Sequence, residues 1–116
     1  HQVRLFDELR AAGESPPVID AADFLRAPEA YLRALCTWLG ISFTGGLLAW
    51  PAGPRESDGV WAPHWYARVW ASTGFEAPED VAPPRLSGQS ADTAGACMLH
   101  YERLHDARLV LEPTGA

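Results

Sequence analysis

Apolar side chains recur at helical spacing in several stretches of this chain, separated by segments rich in proline, glycine and acid. Residues 2–12 (QVRLFDELRAA) place Val3, Leu5, Phe6 and Leu9 on one helical face, and Gly13 follows as a stop. Pro16 and Pro17 lead into "VID", a short apolar burst ending in an acid, which reads as a buried strand near 17–20. Asp20 is a good N-cap for the turn AADFLRA. The clearest helix is "APEAYLRALCTWLG". Pro28 stands near its first position, Glu29 in its first turn and Gly40 past its end. Its apolar face comprises Tyr31, Leu32, Leu35, Cys36 and Leu39.

Beyond it, "ISFTGGLLAW" reads as a loop and a short turn carrying Leu47, Leu48 and Trp50 into the core. A helical pattern resumes at Pro63 and stops at Gly74. Residues 76–93 are acidic and Pro-rich, then Gly/Ser-rich, and are expected to cross the surface without regular structure. A last helix is expected over 94–110, burying Met98, Tyr101, Leu104 and Leu109. The organisation is thus one partial domain over 1–116. A core and a Trp/Pro/Gly closing segment fill 1–75, followed by the crossing and the terminal helix. One strand is not a sheet, so the chain is either all-α or has its partner strands elsewhere.

Composition narrows the classes. The chain has 116 residues and 47% hydrophobic content, and its mean hydropathy is close to zero, as expected of a soluble globular domain. No apolar run approaches the roughly 20 residues that span a bilayer. A net charge of −6 argues against a nucleic-acid surface, which needs a basic stripe. All nine basic residues are Arg, so no lysine can form a Schiff base or hold a phosphate. Cys36 and Cys97 have no metal or redox spacing, and a reducing, cytoplasmic setting is expected. The chain opens on His1, so it is expected to be processed, truncated or cut from a longer protein.

Candidate chemistry concentrates in "WPAGPRESDGVWAPHWY", Trp50 to Tyr66, with three of the five tryptophans. Trp50, Trp61, Trp65 and Trp70 could wall a pocket, or form a core stripe at helical spacing. His64 could serve as a base or simply pack or cap at a helix start. His100 and His105 lie roughly 140° apart on a helix and cannot chelate one metal. Capping accounts for Asp20 and Asp23, and burial for Cys36.

"VIDAADFLRAPEAYLRALCTWLGISFT" resembles a phrase close to "YEDLLADPEAVLRRLCDFLGLPFD" found in PAPS-dependent sulfotransferases, more narrowly in bacterial sulfotransferase-like proteins of the P-loop class. Asp23, Leu25, Pro28, Glu29, Leu32, Leu35, Cys36, Leu39 and Gly40 fall in register. "LLAWPAGPRESDGVWAPHWYARVWASTGF" and "HYERLHDARL" are similar to the segments that follow there, so the likeness covers nearly the whole chain. It implies an α/β fold: the mostly helical C-terminal portion of a P-loop parallel-sheet domain. It also implies PAPS as co-substrate, with sulfuryl transfer to a small-molecule acceptor.

The family's RKGxxGxW segment grips the nucleotide 3′-phosphate. Here "RESDGVW" offers Arg55, Gly59 and Trp61 for that role, one residue shorter, with Glu56 and Ser57 replacing the Lys–Gly pair. A guanidinium forks onto phosphate, and glycine lets backbone N–H groups approach an anion. The acids beside Arg55 are expected to compete for its guanidinium. Trp50, His64 and Trp65 are the pocket-lining candidates. The Gly- and Ser/Thr-rich phosphosulfate loop, the upstream Arg/Ser pair and the usual base have no counterpart in these residues. No catalytic residue or metal ligand is therefore assigned, and the chain alone is expected to be inactive without a missing N-terminal half. The alternative is a non-catalytic helical interaction or structural module derived from the same fold, or a nucleotide binder without turnover.

Overall fold

The computed structural model describes residues 1–111. It divides into two compact units, one formed by His1–Phe24 with the chain from Glu79 onward, the other by Leu25–Pro78.

In the first unit, α1 (Gln2–Ala11) packs on α6 (Gly88–Asp106). Gly13, at φ 85°, lets the chain leave α1 in a conformation that other residues rarely adopt. α6 is tied down by polar contacts rather than by burial. Arg103 forks onto both carboxylate oxygens of Asp7, and Tyr101 donates to Asp20 Oδ2 at 2.9 Å. Past the end of α6, Arg108 Nε donates to Asp23 Oδ2 at 2.9 Å, and the Leu109 N–H donates to the Val18 carbonyl at 2.7 Å. Asp20 Oδ1 accepts the N–H groups of Ala22 and Asp23, which is the expected cap of α2 (Ala21–Arg26). Asp23 is engaged in the ion pair with Arg108.

The second unit is built on α3 (Pro28–Leu39), with Pro28 in the first turn and Gly40 left-handed at φ 70°. Tyr31 and Cys36 are buried on its inner face. The expected apolar face is narrower than the sequence pattern: Leu39 is exposed, as are Trp38 and Ile41. Two 3₁₀ turns, Gly45–Leu47 and Glu56–Asp58, lead to α4 (Ala62–Trp65) and α5 (Ala67–Ala71). The helix expected from Pro63 is interrupted at Tyr66. Hydrogen bonds from the Tyr66 N–H to Ala62 and from the Trp70 N–H to Tyr66 nevertheless bridge the break. A single antiparallel bridge, Ala49 to Gly74, closes the base of this segment.

Three expectations change. Residues 17–20 are half-buried but run without regular structure, and no strand ladder forms among the described residues. Pro16 and Pro17 have no N–H to give, and nothing else among these residues lies alongside as a ladder. The irregular crossing ends at Ser87, because α6 starts at Gly88 and not near residue 94. The Gly/Ser-rich stretch looks like a breaker, but its alanines sustain the helix. Finally, Met98 and Tyr101 are exposed on α6, while Leu104 and Leu109 are half-buried. Among the described residues only Tyr31, Cys36 and Ala62 are buried apolar side chains, all in the second unit.

Candidate functional site

The closing segment between Trp50 and Phe75 is held by side-chain hydrogen bonds that cross the loop. Trp50 donates its indole N–H to Ser72 Oγ at 3.0 Å, and its ring meets Phe75 edge-on at 5.2 Å. Its backbone N–H donates to the Thr73 carbonyl. Trp70 donates its indole N–H to Asp58 Oδ2 at 2.8 Å and accepts the Gly53 N–H on its carbonyl at 2.8 Å. The two half-buried indoles therefore staple the Pro/Gly loop onto α5 and the turn after it.

Trp61 and Trp65 behave differently. They are 70% and 76% exposed, and neighbouring Val60 is 84% exposed. Their helical spacing thus does not form a core stripe. Trp61 stands with its ring 6.0 Å from the His64 imidazole. His64 is exposed on α4, with its backbone N–H donating to the Trp61 carbonyl at 3.0 Å. Among the described residues no side-chain hydrogen-bond partner orients its imidazole as a general base would require.

Arg55 and Asp58 form the turn between these two sets. The Arg55 N–H donates to Asp58 Oδ2 at 2.7 Å. With the Trp70 indole on the same oxygen, these bonds hold the Asp58 carboxyl below the usual carboxylate range, the Arg55 backbone bond contributing most. The guanidinium of Arg55 turns back onto its own loop. Nη2 donates to the Pro51 carbonyl at 3.0 Å and Nη1 to the Gly53 carbonyl at 3.5 Å. Neither adjacent acid hydrogen-bonds the guanidinium: Asp58 takes the backbone N–H and feels the Arg55 charge, and the loop carbonyls take the side chain. Three of the five guanidinium donors stay unspent.

Gly59 follows at φ 76°, ψ 172°, a conformation that is essentially restricted to glycine. A Cβ there would meet open space, so the backbone angle and not crowding requires the glycine. Among the described residues, the N–H groups of Gly59, Val60 and Trp61 make no hydrogen bond. Arg55, Gly59 and Trp61 are thus one continuous stretch of exposed donors. Trp50 is separated from it in role as an internal strut, while His64 and Trp65 stand beside Trp61 on α4. Asp58 is the residue that sequence reasoning treated only as a competitor. The Asp-Gly pair, a turn signal, was the available hint.

The family model for a sulfotransferase domain matches residues 2–108, which covers both units. The chain belongs to the sulfotransferase domain family. Two Arabidopsis thaliana proteins are also similar. Branched-chain-amino-acid aminotransferase-like protein 1 is 48% identical over 77 residues, and protein 2 is 46% identical over the same length. In each case the match covers 66% of this chain and 14% of the relative. The region of likeness is therefore a small part of those proteins' own length. No solved structure matches the chain. Within this sulfotransferase-family chain no described helix is long and apolar enough to cross a membrane, and no group of three potential metal-binding side chains occurs among the described residues.

Proposed function

We propose that this chain is the C-terminal part of a sulfotransferase that moves a sulfuryl group from PAPS to a hydroxyl or amine of a small molecule, in a cytoplasmic setting. The observation that carries the reading is the donor stretch Arg55–Trp61 inside a family-matched segment. Its three unspent guanidinium donors, and three consecutive N–H groups that make no hydrogen bond among the described residues, are the kinds of donor that a phosphate takes. Arg55, Gly59 and Trp61 would hold the 3′-phosphate, and His64 and Trp65 would flank the acceptor. When bound, PAPS supplies the activated sulfuryl group. The donors for its phosphosulfate end, and the base, would come from polypeptide beyond this chain, in the sheet of a P-loop fold. Membership of the sulfotransferase family supports this reading.

The names of the two plant relatives suggest aminotransfer as a rival chemistry. That chemistry needs a lysine Schiff base to pyridoxal phosphate, which these residues do not supply, and the match covers only 14% of each relative. A second reading, a helical interaction module, is favoured by one observation: Val60, Trp61 and Trp65 are exposed together.

Transfer of labelled sulfate from PAPS to a panel of hydroxyl and amine acceptors separates the two. The full-length protein should turn over, this chain alone should not, and Arg55→Ala should raise the KM for PAPS about tenfold or more, as expected for loss of a charge-assisted phosphate contact. A full-length protein that neither transfers sulfate nor binds adenosine 3′,5′-bisphosphate would leave the module reading in its place.

A further inference from the structure

We propose that His105 is a pH-operated latch: its neutral imidazole helps to hold the turn after α6 against the segment leading into α2, and its protonated form lets that turn go. The device lies within the first unit and is independent of the sulfotransfer reading. Asp20, Asp23, Tyr101, His105 and Arg108 gather there from two distant stretches of the chain. All but Tyr101 are half-buried.

His105 stands at the centre of the group. Its ring lies 5.4 Å from that of Tyr101, inclined by 32°, and its Nδ1 lies 3.3 Å from Arg108 Nη1. A guanidinium has only donors to offer. The contact is therefore a hydrogen bond only while Nδ1 carries no proton and the ring hydrogen sits on Nε2. The same Nη1 donates to the His105 carbonyl at 2.9 Å, and Arg108 Nε donates to Asp23 Oδ2 at 2.9 Å. One residue on, the Leu109 N–H donates to the Val18 carbonyl at 2.7 Å. His105 thus props a short run of bonds that fastens the chain past α6.

A proton on Nδ1 removes the acceptor and sets a second positive charge 3.3 Å from the guanidinium. The same charge has better partners close by. Asp20 and Asp23 outnumber Arg108, so the cluster carries one negative charge in excess while the imidazole is neutral. Asp20 feels the charge of His105. On α6 itself Glu102 stands three residues before His105 and Asp106 directly after it. From α1, Asp7 is taken up by Arg103. Among these described groups Arg108 is the cation in contact with the ring. Protonation therefore moves the imidazole off Arg108 and toward the carboxylates, and the turn loses its prop.

Residue-resolved amide hydrogen exchange on the full-length protein tests the latch. It is read as protection factors, so that the intrinsic pH dependence cancels, between about pH 8 and about pH 5, where imidazoles take up a proton. Asp20 keeps its charge over this span, because the Tyr101 hydroxyl holds its carboxyl below the usual carboxylate range. On acidification the Leu109 N–H should lose about tenfold or more of its protection. The Ile41 N–H, bonded to the Cys36 carbonyl in the second unit, should keep its own. His105→Asn retains an uncharged acceptor and should preserve Leu109 protection at both ends of the range; His105→Lys should lack it at both. Imidazole nitrogen shifts of the unsubstituted protein give a reading that needs no variant, and should show the Nε2–H tautomer at the alkaline end. Leu109 protection that ignores pH would overturn the proposal. So would a loss shared by His105→Asn, or a neutral ring with its hydrogen on Nδ1.

Discussion

Trp50 and Trp70 share the closing segment with Trp61 and Trp65, yet the two pairs do opposite things. The first pair spends its indole N–H groups on Ser72 and Asp58, reaching 22 and 12 residues along the chain. The second pair spends nothing inward and stands in the open. A single segment of like composition thus carries its own fastening and an exposed aromatic face. Burial of an aromatic ring follows the partner that its polar edge can reach, and that partner is seldom near in sequence.

The largest expected effect separates the pairs by stability. Trp70→Ala should cost about 3 kcal/mol, through lost packing and an opened loop. Trp61→Ala and Trp65→Ala should each stay within about 0.5 kcal/mol, as for other open surface positions. Urea unfolding of the three variants decides the matter, and equal losses would erase the distinction. Gly59→Ala comes next: a side chain at φ 76°, ψ 172° should destabilise by about 2 kcal/mol, because that backbone region is almost closed to other residues.

Smaller effects concern the first unit, where polar contacts replace burial. Asp20→Ala removes the α2 cap and the acceptor of Tyr101, and should cost about 1 kcal/mol in the same unfolding measurement. The Asp20 carboxyl is held below the usual carboxylate range chiefly by the Tyr101 hydroxyl, and the Tyr101 hydroxyl is pushed up chiefly by Asp20. The sign follows by linkage. Stability from Asp20 and Asp58 is complete above the ordinary carboxylate pKa, about 4, and is lost as pH falls through their lowered values. Stability from Tyr101 is complete below about pH 10 and is lost as pH rises through its elevated value. Asp58→Asn should flatten the acid limb of the stability–pH profile, and Tyr101→Phe the alkaline limb.

How much of this was legible in the sequence depends on how local the cause was. α3 could be read because Pro28, Glu29 and Gly40 mark its ends within the helix itself. The cap by Asp20 could be read for the same reason. The start of α6 could not, since Gly88, Ser90 and Gly95 look like loop residues and only the intervening alanines favour a helix. The outward placement of Trp61 and Trp65 was hidden because spacing fixes a shared face without saying what that face meets. In the candidate site Arg55, Gly59 and Trp61 were named through a family phrase. The role of Asp58 as the acceptor joining Arg55 to Trp70 needed the folded loop.

The smallest effect on the fold should coincide with the largest effect on binding. Arg55→Ala keeps the backbone bond to Asp58 and both indole staples and removes only the exposed guanidinium bonds to the Pro51 and Gly53 carbonyls, which should cost little. Calorimetric titration of adenosine 3′,5′-bisphosphate into the full-length protein and its Arg55→Ala variant is the most direct test of the account. An affinity weakened about tenfold or more, with an unchanged unfolding midpoint, is the predicted result. Equal affinity in the two proteins would contradict the claim that this turn holds a phosphate.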